Sequence, residues 1–265
     1  MEATNYKQYK GVWLNLGPER AERLLTRSEC RAMLKQGGLL VRNVHDFDCA
    51  EETEFWFVIK DHFGGMEEFN SKMRNQLRRS LSHYTYRIIT REELCEKGYN
   101  ILCNATEHYR VKAVAPSRKE FLQRLNNGLE NEYWGAFDTE SGSLVAYALN
   151  QVFENSCNYS VLKADPGAMK DYVYYGLIHS MNEYYLQQRG LDYVCDGARS
   201  ITEHSNIQGF LIEKYHFRKA YCRLHLHYKP WMALAVKILY PFRRWLPNQR
   251  VRAILSQEAM ARHSR

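Results

Sequence analysis

The stretch NIQGFLIEKYHFRKAYCRLHLHY, residues 206–228, decides how the fold is interpreted. Its first ten residues are typical of a short helix. Tyr215, His216 and Phe217 then form an aromatic corner, and from Arg218 polar and apolar residues alternate as they do in a half-buried strand. The stretch therefore predicts a short helix that leads directly into a long final strand.

The segments before this stretch predict a mixed α/β sheet. Residues 132–164 are typical of three antiparallel strands joined by short polar turns. Pro166-Gly167 opens a helix with one buried stripe, and Gly190 is the glycine expected after its end. The segment LDYVCDG, residues 191–197, predicts a short strand. A strand, a helix and a second strand in this order are expected to give two parallel strands of one sheet.

A basic helix is predicted in the first half of the chain. In SKMRNQLRRSL, residues 71–81, apolar residues recur every four positions from Met73, while Arg74, Arg78 and Arg79 lie off that face. Such a surface can contact tRNA or the phosphate of an acceptor, and it can equally be a solvated helix face.

Composition limits the class of protein. The chain has 265 residues, 45% of them hydrophobic, and a formal net charge of +7, which favours an anionic partner or serves solubility. The seven cysteines contain no CxxC, so neither a zinc site nor a disulfide framework is predicted. No apolar segment is long enough to span a bilayer and the first residues lack a signal-peptide pattern, so we expect a cytoplasmic location.

The predicted element order from Glu132 to Tyr228 resembles the core of the GNAT acyltransferase superfamily. That core ends on a motif that this chain matches at Asn206, at Gly209 in place of a small alanine, at Glu213-Lys214 and at Phe217.

Residues 71–81 resemble the basic helix of the Fem-like proteins, which pair two GNAT-type domains in one chain. The resemblance implies an α/β fold with a mixed sheet. It further implies a degenerate GNAT-like domain over residues 1–115 and a more complete GNAT-like acyltransferase domain over residues 116–229. Basic amphipathic helices are expected over residues 230–265.

The resemblance to GNAT enzymes implies transfer of an acyl group from acetyl-CoA or another acyl-CoA to an amine. The acceptor class would be an amino sugar or an amino-acid-like compound, including a lipid-linked sugar, in the synthesis of envelope polysaccharide. The strand edge for the pantetheine arm would be Val161, Leu162 and Lys163. The pyrophosphate would lie on backbone N–H groups at a helix N-terminus. The cofactor-binding residues of that cradle would be Gly167, Ala168, Met169 and Lys170.

The predicted cradle departs from the family pattern. The usual glycine-rich motif is missing, and Asp171 is expected to repel phosphate. The tyrosine that serves as general acid in many GNAT enzymes is replaced by Ile212, which cannot donate a proton. Tyr215 is the nearest phenol.

Candidate catalytic residues follow from chain position. Asp196 ends a strand parallel to the expected donor strand, where ligands gather in open α/β sheets, and could accept the amine proton. His204 is a second candidate base and Tyr215 a third catalytic candidate. An Asp-Gly pair is equally typical of a turn, and His204 can simply cap a helix. The candidate substrate-binding residues are Arg199, Tyr172, Tyr175 and Asn206.

Two further classes stay open beside the CoA-dependent enzyme. One is a Fem-like transferase that takes an aminoacyl group from tRNA, and the other is a non-catalytic GNAT-like binding module. His225 and His227 share one face of the last strand, but no third ligand is suggested and no metal is predicted. Residues 231–246 combine Trp, Tyr and Arg with an apolar run. They are typical either of a packed helix or of a peripheral anchor, which would lie at the inner membrane.

Overall fold

The computed structural model describes residues 5–108, 114–126, 131–200 and 206–264. Its strands are β1 (Tyr6–Tyr9), β2 (Val12–Asn15), β3 (Leu40–His45), β4 (Phe55–Lys60), β5 (Tyr84–Ile89), β6 (Asn131–Asp138), β7 (Leu144–Val152), β8 (Ser156–Ala164), β9 (Tyr193–Ala198) and β10 (Arg218–Tyr228). Its α-helices are α1 (Arg27–Gln36), α2 (Ser71–His83), α3 (Arg91–Glu107), α4 (Arg118–Leu125), α5 (Val173–Asn182), α6 (Ile207–Tyr215), α7 (Pro230–Leu239) and α8 (Gln249–Arg262).

The chain forms two compact units. Unit 1 comprises residues 1–58, 198–203 and 219–265, and unit 2 comprises residues 59–197 and 204–218. Each unit therefore collects segments that are far apart in the sequence. The division into domains at residues 115 and 229 stays a prediction.

The sheet of unit 2 follows the predicted order. Strands β5, β6, β7 and β8 pair antiparallel in sequence, and β9 pairs parallel to β8. The predicted meander over residues 132–164 is thus confirmed, and β5 extends it by one strand. The sheet is mixed, since the helical connection between β8 and β9 returns the chain in the same direction.

Helices cover both faces of this sheet. Tyr133, Tyr147 and Leu149 point towards α3 and α4, where they join a core with Leu94 and Phe121.

The alternating positions of the same strands face α5 and the π-helical turn Glu183–Gln188 that continues it. Trp134 Nε1 donates to the Tyr185 hydroxyl over 3.1 Å, and Asn150 donates to Met181 Sδ. Unit 2 is therefore a three-layer α/β/α arrangement whose core lies on both faces of the sheet.

Local capping explains where several helices begin. The Asn70 side chain accepts the Met73 N–H at the start of α2. Ser117 and Glu120 form a complete capping box at α4, as the Ser-x-x-Glu pattern of residues 117–120 predicts. The helix expected to open at Pro166-Gly167 begins instead at Val173, after a 3-10 turn over Pro166–Asp171. Tyr172 adopts the left-handed backbone conformation, with φ of 61°.

Unit 1 has its own mixed sheet and core. β1 pairs antiparallel with β2, β2 parallel with β3, and β3 antiparallel with β10. Its buried side chains include Leu25, Cys30 and Met33, which pack with Val41 of β3. Helix α7 follows β10 directly and opens with Pro230 in its first turn, where the missing N–H of proline is tolerated.

Candidate functional site

Strands β8 and β9 part after a short paired region. Only Ser156–Asn158 of β8 has register partners in β9, and these are Tyr193–Cys195. Beyond Asn158, β8 continues for six residues to Ala164 without a partner in β9. The backbone of this part of β8 therefore presents hydrogen-bonding groups on its β9 side to an extended ligand.

A β-bulge lies where the strands part. Leu149 of β7 faces Val161 of β8, but the next residue, Asn150, faces Tyr159, so Ser160 is an extra residue in β8. A bulge increases the local twist of a strand and turns it away from its neighbour. Ser160 is exposed. The bulge gives a local reason for the divergence of β8 from β9.

Asp196 follows Cys195, the last residue of β9 that pairs with β8. Its carboxyl group is largely removed from solvent, and this burial raises its pKa to about 7, against a smaller lowering by a hydrogen bond from Gln208. Gln208 belongs to α6. A carboxyl group with a pKa near 7 exchanges its proton at neutral pH, which is what a general base requires.

Tyr159 of β8 is a buried neighbour of the site. Burial, and then the negative charges of neighbours that include Asp196, raise the pKa of Tyr159 well above its ordinary value. The Tyr159 hydroxyl donates to Asn182 Oδ1 over 2.8 Å. The charge of Asp196 therefore acts on a residue of β8, the strand from which β9 parts.

The predicted cofactor-binding strand residues lie at this divergence. Val161, Leu162 and Lys163 follow the bulge, and all three are half-buried. They pair with Leu149, Ala148 and Tyr147 of β7, and the register between β8 and β9 ends before them, at Asn158. Their cofactor-binding role stays a prediction.

In the predicted pyrophosphate cradle, residues 167–171, backbone N–H groups are hydrogen-bonded within the chain. The Gly167 N–H donates to Asp165 Oδ1 over 2.8 Å and the Ala168 N–H to the Asp165 carbonyl over 3.0 Å. Ala168 is buried, whereas Met169 and Lys170 are exposed. Two of the N–H groups expected to hold phosphate are thus already bonded within the chain.

Helix α2 occupies the N-terminus of α5. Ser80 Oγ accepts the Gly176 N–H over 3.1 Å and donates to the Tyr172 carbonyl over 2.6 Å. The Tyr86 ring of β5 also packs against α5 at Gly176. A Cβ at this position would lie 2.3 Å from the ring, so only glycine allows the ring and the helix to lie so close. Ser80 thus already occupies one N–H group in the first turn of α5, whereas the use of CoA stays a prediction.

The expected repulsion by Asp171 is also offset within the chain. Two N–H groups of Arg79 donate to Asp171 Oδ1, at 3.0 and 2.7 Å, and Asp171 is buried. Arg79 lies on the basic helix α2, and its guanidinium group also lies over the Tyr172 ring. Arg79 is therefore a structural partner of the loop after β8, whereas Arg78 hydrogen-bonds Asn75 of its own helix.

Tyr215 has a packing position. Its side chain is fully buried, and its hydroxyl donates to the Tyr175 carbonyl over 2.5 Å. Burial raises the pKa of Tyr215 well above its ordinary value. This geometry gives Tyr215 no route to proton transfer with a ligand, in contrast to its predicted catalytic role.

Tyr172 and Tyr175 are brought together, with ring centroids 5.2 Å apart. The Tyr175 ring also meets the Phe210 ring edge to face, at 5.1 Å. Both tyrosines are half-buried, so they are accessible in part to a substrate. Their substrate-binding role stays a prediction.

The remaining candidate residues, Asn206, Arg199 and His204, are not brought together in one described site. Asn206 is exposed at the start of α6, and its side chain lies over Gly209, where a Cβ would be 2.4 Å from Asn206 Oδ1. Arg199 belongs to unit 1, where it pairs with the Glu54 carboxylate over 2.5 Å and lies over the Trp56 ring. His204 lies outside the described residues.

Sequence reasoning missed three contributors to the site. Ser160 carries the bulge, Gln208 hydrogen-bonds Asp196, and Ser80 fills the N-terminus of α5. No local pattern indicates Ser160 or Ser80. Gln208 could have been considered, because it lies two residues after Asn206 in the tail motif.

In the part of the chain that the structure describes, no group of three or more His, Cys, Asp or Glu side chains is placed to hold a metal ion. Among the described helices, none is long and apolar enough to cross a membrane.

Known structures of similar fold share little sequence with this chain. FemX matches with a TM-score of 0.51 and 10% identity, over 66% of this chain and 63% of the FemX chain. The C-terminal domain of a putative lysylphosphatidylglycerol synthetase from Agrobacterium fabrum matches with 0.52 and 12%, over 88% and 84% of the two chains. L-PGS from Bacillus licheniformis matches with 0.50 and 11%, over 87% and 76%.

These similarities concern the fold. The predicted mixed α/β fold is confirmed, and it is similar to the folds of FemX and of the lysylphosphatidylglycerol synthetase domains. The match spans less than two thirds of the FemX chain. No protein-family model and no curated protein matches the sequence.

Proposed function

We propose that this protein is a transferase that moves an acyl or aminoacyl group from an activated donor to an amine. The observation that carries the proposal is the partly buried Asp196, with a pKa of about 7, at the point where β8 and β9 diverge. The shared fold with FemX and with lysylphosphatidylglycerol synthetase domains supports the same class of reaction.

The proposed chemistry assigns a proton acceptor to the chain itself. The acceptor amine attacks the donor carbonyl carbon, so a C–N bond forms as the bond to the leaving group breaks. The amine proton moves to the Asp196 carboxylate. The Gln208 amide, which donates to that carboxylate, holds it in position. A general base of this kind contributes about 10² to 10⁴-fold to a rate.

The part of β8 beyond its pairing with β9 is proposed to align the donor. The backbone groups of Val161 and Leu162 can hydrogen-bond an extended arm or chain, in the way that a peptide adds to a sheet edge. No particular side chain is needed for this pairing. Hydrogen bonding along a strand holds the donor carbonyl at a fixed position relative to Asp196.

Two classes of donor are considered, an aminoacyl-tRNA and an acyl-CoA. The closed N-terminus of α5 favours an aminoacyl ester of tRNA over acyl-CoA, because Ser80 and Asp165 already accept N–H groups that a pyrophosphate would use. The net charge of +7 and the exposed Arg78 on α2 are consistent with a polyanionic donor. Acetyl-CoA or another acyl-CoA remains the competing donor, and an amino sugar or amino-acid-like amine the proposed acceptor class.

A titration separates the donors. The full chain is titrated calorimetrically with acetyl-CoA, with CoA and with a mixture of aminoacylated tRNAs. We expect binding of the tRNA that weakens steeply with salt, and no heat with either CoA species. Micromolar CoA binding, about −8 kcal/mol, would instead favour the acyl-CoA donor and contradict the inference from the closed helix N-terminus.

The reaction is tested with the donor that binds and a panel of amines. Product formation should rise with pH through about 7 as Asp196 ionises. Asp196→Asn should lower kcat/KM by about 10² to 10⁴-fold and remove this rise.

The matched control is Asp192→Asn, an exposed carboxyl group four positions earlier in the chain. It should leave both the rate and the pH profile unchanged. Donor binding without transfer to any amine would support the non-catalytic alternative and refute the proposal.

A further inference from the structure

An exposed apolar surface follows the last strand of unit 1. It consists of five large side chains on α7 and the turns after it, here called the apolar stripe: Trp231, Leu234, Ile238, Phe242 and Trp245. They are 50 to 80% exposed. The spacing of Trp231, Leu234 and Ile238 places these three along one face of α7, and Phe242 and Trp245 follow in the turns after it.

The opposite face of α7 already packs into its own unit. Met232 and Val236 are buried, at 7 and 6% exposure. A surface helix normally carries polar residues on the side that faces water. α7 is apolar on both sides, so its outer face is suited to a second apolar environment.

The segment that carries the stripe is strongly basic. Residues 229–257 contain no Asp or Glu, and their cationic residues are Lys229, Lys237, Arg243, Arg244, Arg250 and Arg252. Lys237 and Arg244 are exposed beside the stripe. A two-fold pairing of two copies through the stripe would bring these like charges together, which disfavours self-association.

We propose that the apolar stripe binds the surface of an anionic phospholipid bilayer. The helix would lie in the plane of the interface, with Trp231, Leu234 and Ile238 inserted at the level of the headgroups and the acyl-chain boundary. Lys237, Arg243 and Arg244 would contact the lipid phosphates. This inference is independent of the transferase reaction.

Vesicle binding tests the inference on the full chain. Wild type is cosedimented with vesicles of phosphatidylcholine alone and of phosphatidylcholine mixed with phosphatidylglycerol. Binding is expected only to the anionic vesicles, weakening with salt, with a blue shift of tryptophan emission as the exposed Trp245 enters the interface.

Three variants separate the apolar and cationic contributions. The triple substitution Trp231→Ser, Leu234→Ser and Ile238→Ser should weaken vesicle binding at least about tenfold. The double substitution Arg243→Ser and Arg244→Ser should weaken binding to anionic vesicles about tenfold. The control is Leu24→Ser, which removes a 51% exposed side chain of the same unit outside the stripe and should change nothing.

The inference is overturned if wild type does not bind anionic vesicles, or if Leu24→Ser weakens binding as much as the triple variant does. It is also overturned if sedimentation shows a wild-type dimer that the triple variant abolishes while vesicle binding is unchanged. In that case the stripe is an interface between two copies. Thermal unfolding of the triple variant and of Leu24→Ser should match that of wild type, because their substituted side chains are exposed.

Discussion

Replacing Asp196 by Asn should stabilise the protein above neutral pH. The two side chains have almost the same shape, so the substitution removes the ionisable group with little change in packing. A carboxyl group held in a desolvated position stores unfavourable free energy once it ionises, as is common at functional sites. The asparagine amide carries no charge and does not incur this penalty.

The magnitude and the sign follow from the raised pKa. Burial raises the pKa of the Asp196 carboxyl from 3.8 to about 7, a difference of about 3. Each pKa unit corresponds to about 1.4 kcal/mol, so ionisation costs the folded state up to about 4 kcal/mol. Between pH 4 and pH 7 the folded state binds more protons than the unfolded state at this group. Its contribution to stability therefore falls as pH rises, and it levels off above pH 7.

Chemical denaturation of the two proteins between pH 4 and pH 8.5 measures this contribution. Near pH 4 the free energies of unfolding should be similar. The advantage of Asp196→Asn should grow with pH and reach a plateau of up to about 4 kcal/mol above pH 7. Subtracting the two curves isolates Asp196, because the other titrating groups are common to both proteins. Asp192→Asn should show no such growth.

Two results would refute this reasoning. A difference that does not change with pH would mean that Asp196 titrates in the folded state as it does in the unfolded chain. A variant that is less stable than wild type at pH 8 would mean that the carboxylate is stabilised by its surroundings, and that Asp196 is a structural residue.

Two buried groups of unit 2 give further predictions. Tyr215→Phe should lower the free energy of unfolding by about 1–3 kcal/mol, because the Tyr175 carbonyl loses a buried donor. The same substitution should leave the pH profile of the transfer reaction unchanged. An altered pH profile would support the predicted catalytic role of Tyr215. Lys60→Met should cost about 3–5 kcal/mol, because the Lys60 ammonium donates to Glu68 over 2.7 Å and to the Tyr215 carbonyl in a buried position. Adding Glu68→Gln to Lys60→Met should recover part of the loss in urea unfolding, and an unchanged loss would contradict the pairing.

Local sequence patterns were sufficient for the order of elements. Alternation and turn residues predicted the meander, and capping residues predicted where α4 begins, because these signals act between residues that are close along the chain. The place of Asp196 on the short strand after α5 was also predictable, since the chain direction sets it, although β9 continues two residues beyond it to Ala198. Its role as a base stays a prediction.

The N-terminus of α5 could not be predicted in this way. The sequence suggests an anion site with one unfavourable carboxylate, Asp171. In the folded protein Arg79 neutralises Asp171 and Ser80 fills the helix terminus, and both residues come from a helix about 90 positions earlier in the chain. Contacts across such a separation depend on how helices pack and leave no local pattern.

The sequence by itself determined the α/β element order, the helix and final strand over residues 206–228, the basic face of α2 and the position of Asp196. The tertiary structure alone decided where β8 and β9 part, that Ser160 forms a bulge, that Tyr215 is buried and that Asp196 loses enough solvent to raise its pKa to about 7. The physical reason is the separation along the chain between the residues that interact. Hydrophobic periodicity and capping are properties of neighbouring residues, whereas strand register, desolvation and ion pairing depend on which distant segments the folded chain brings into contact.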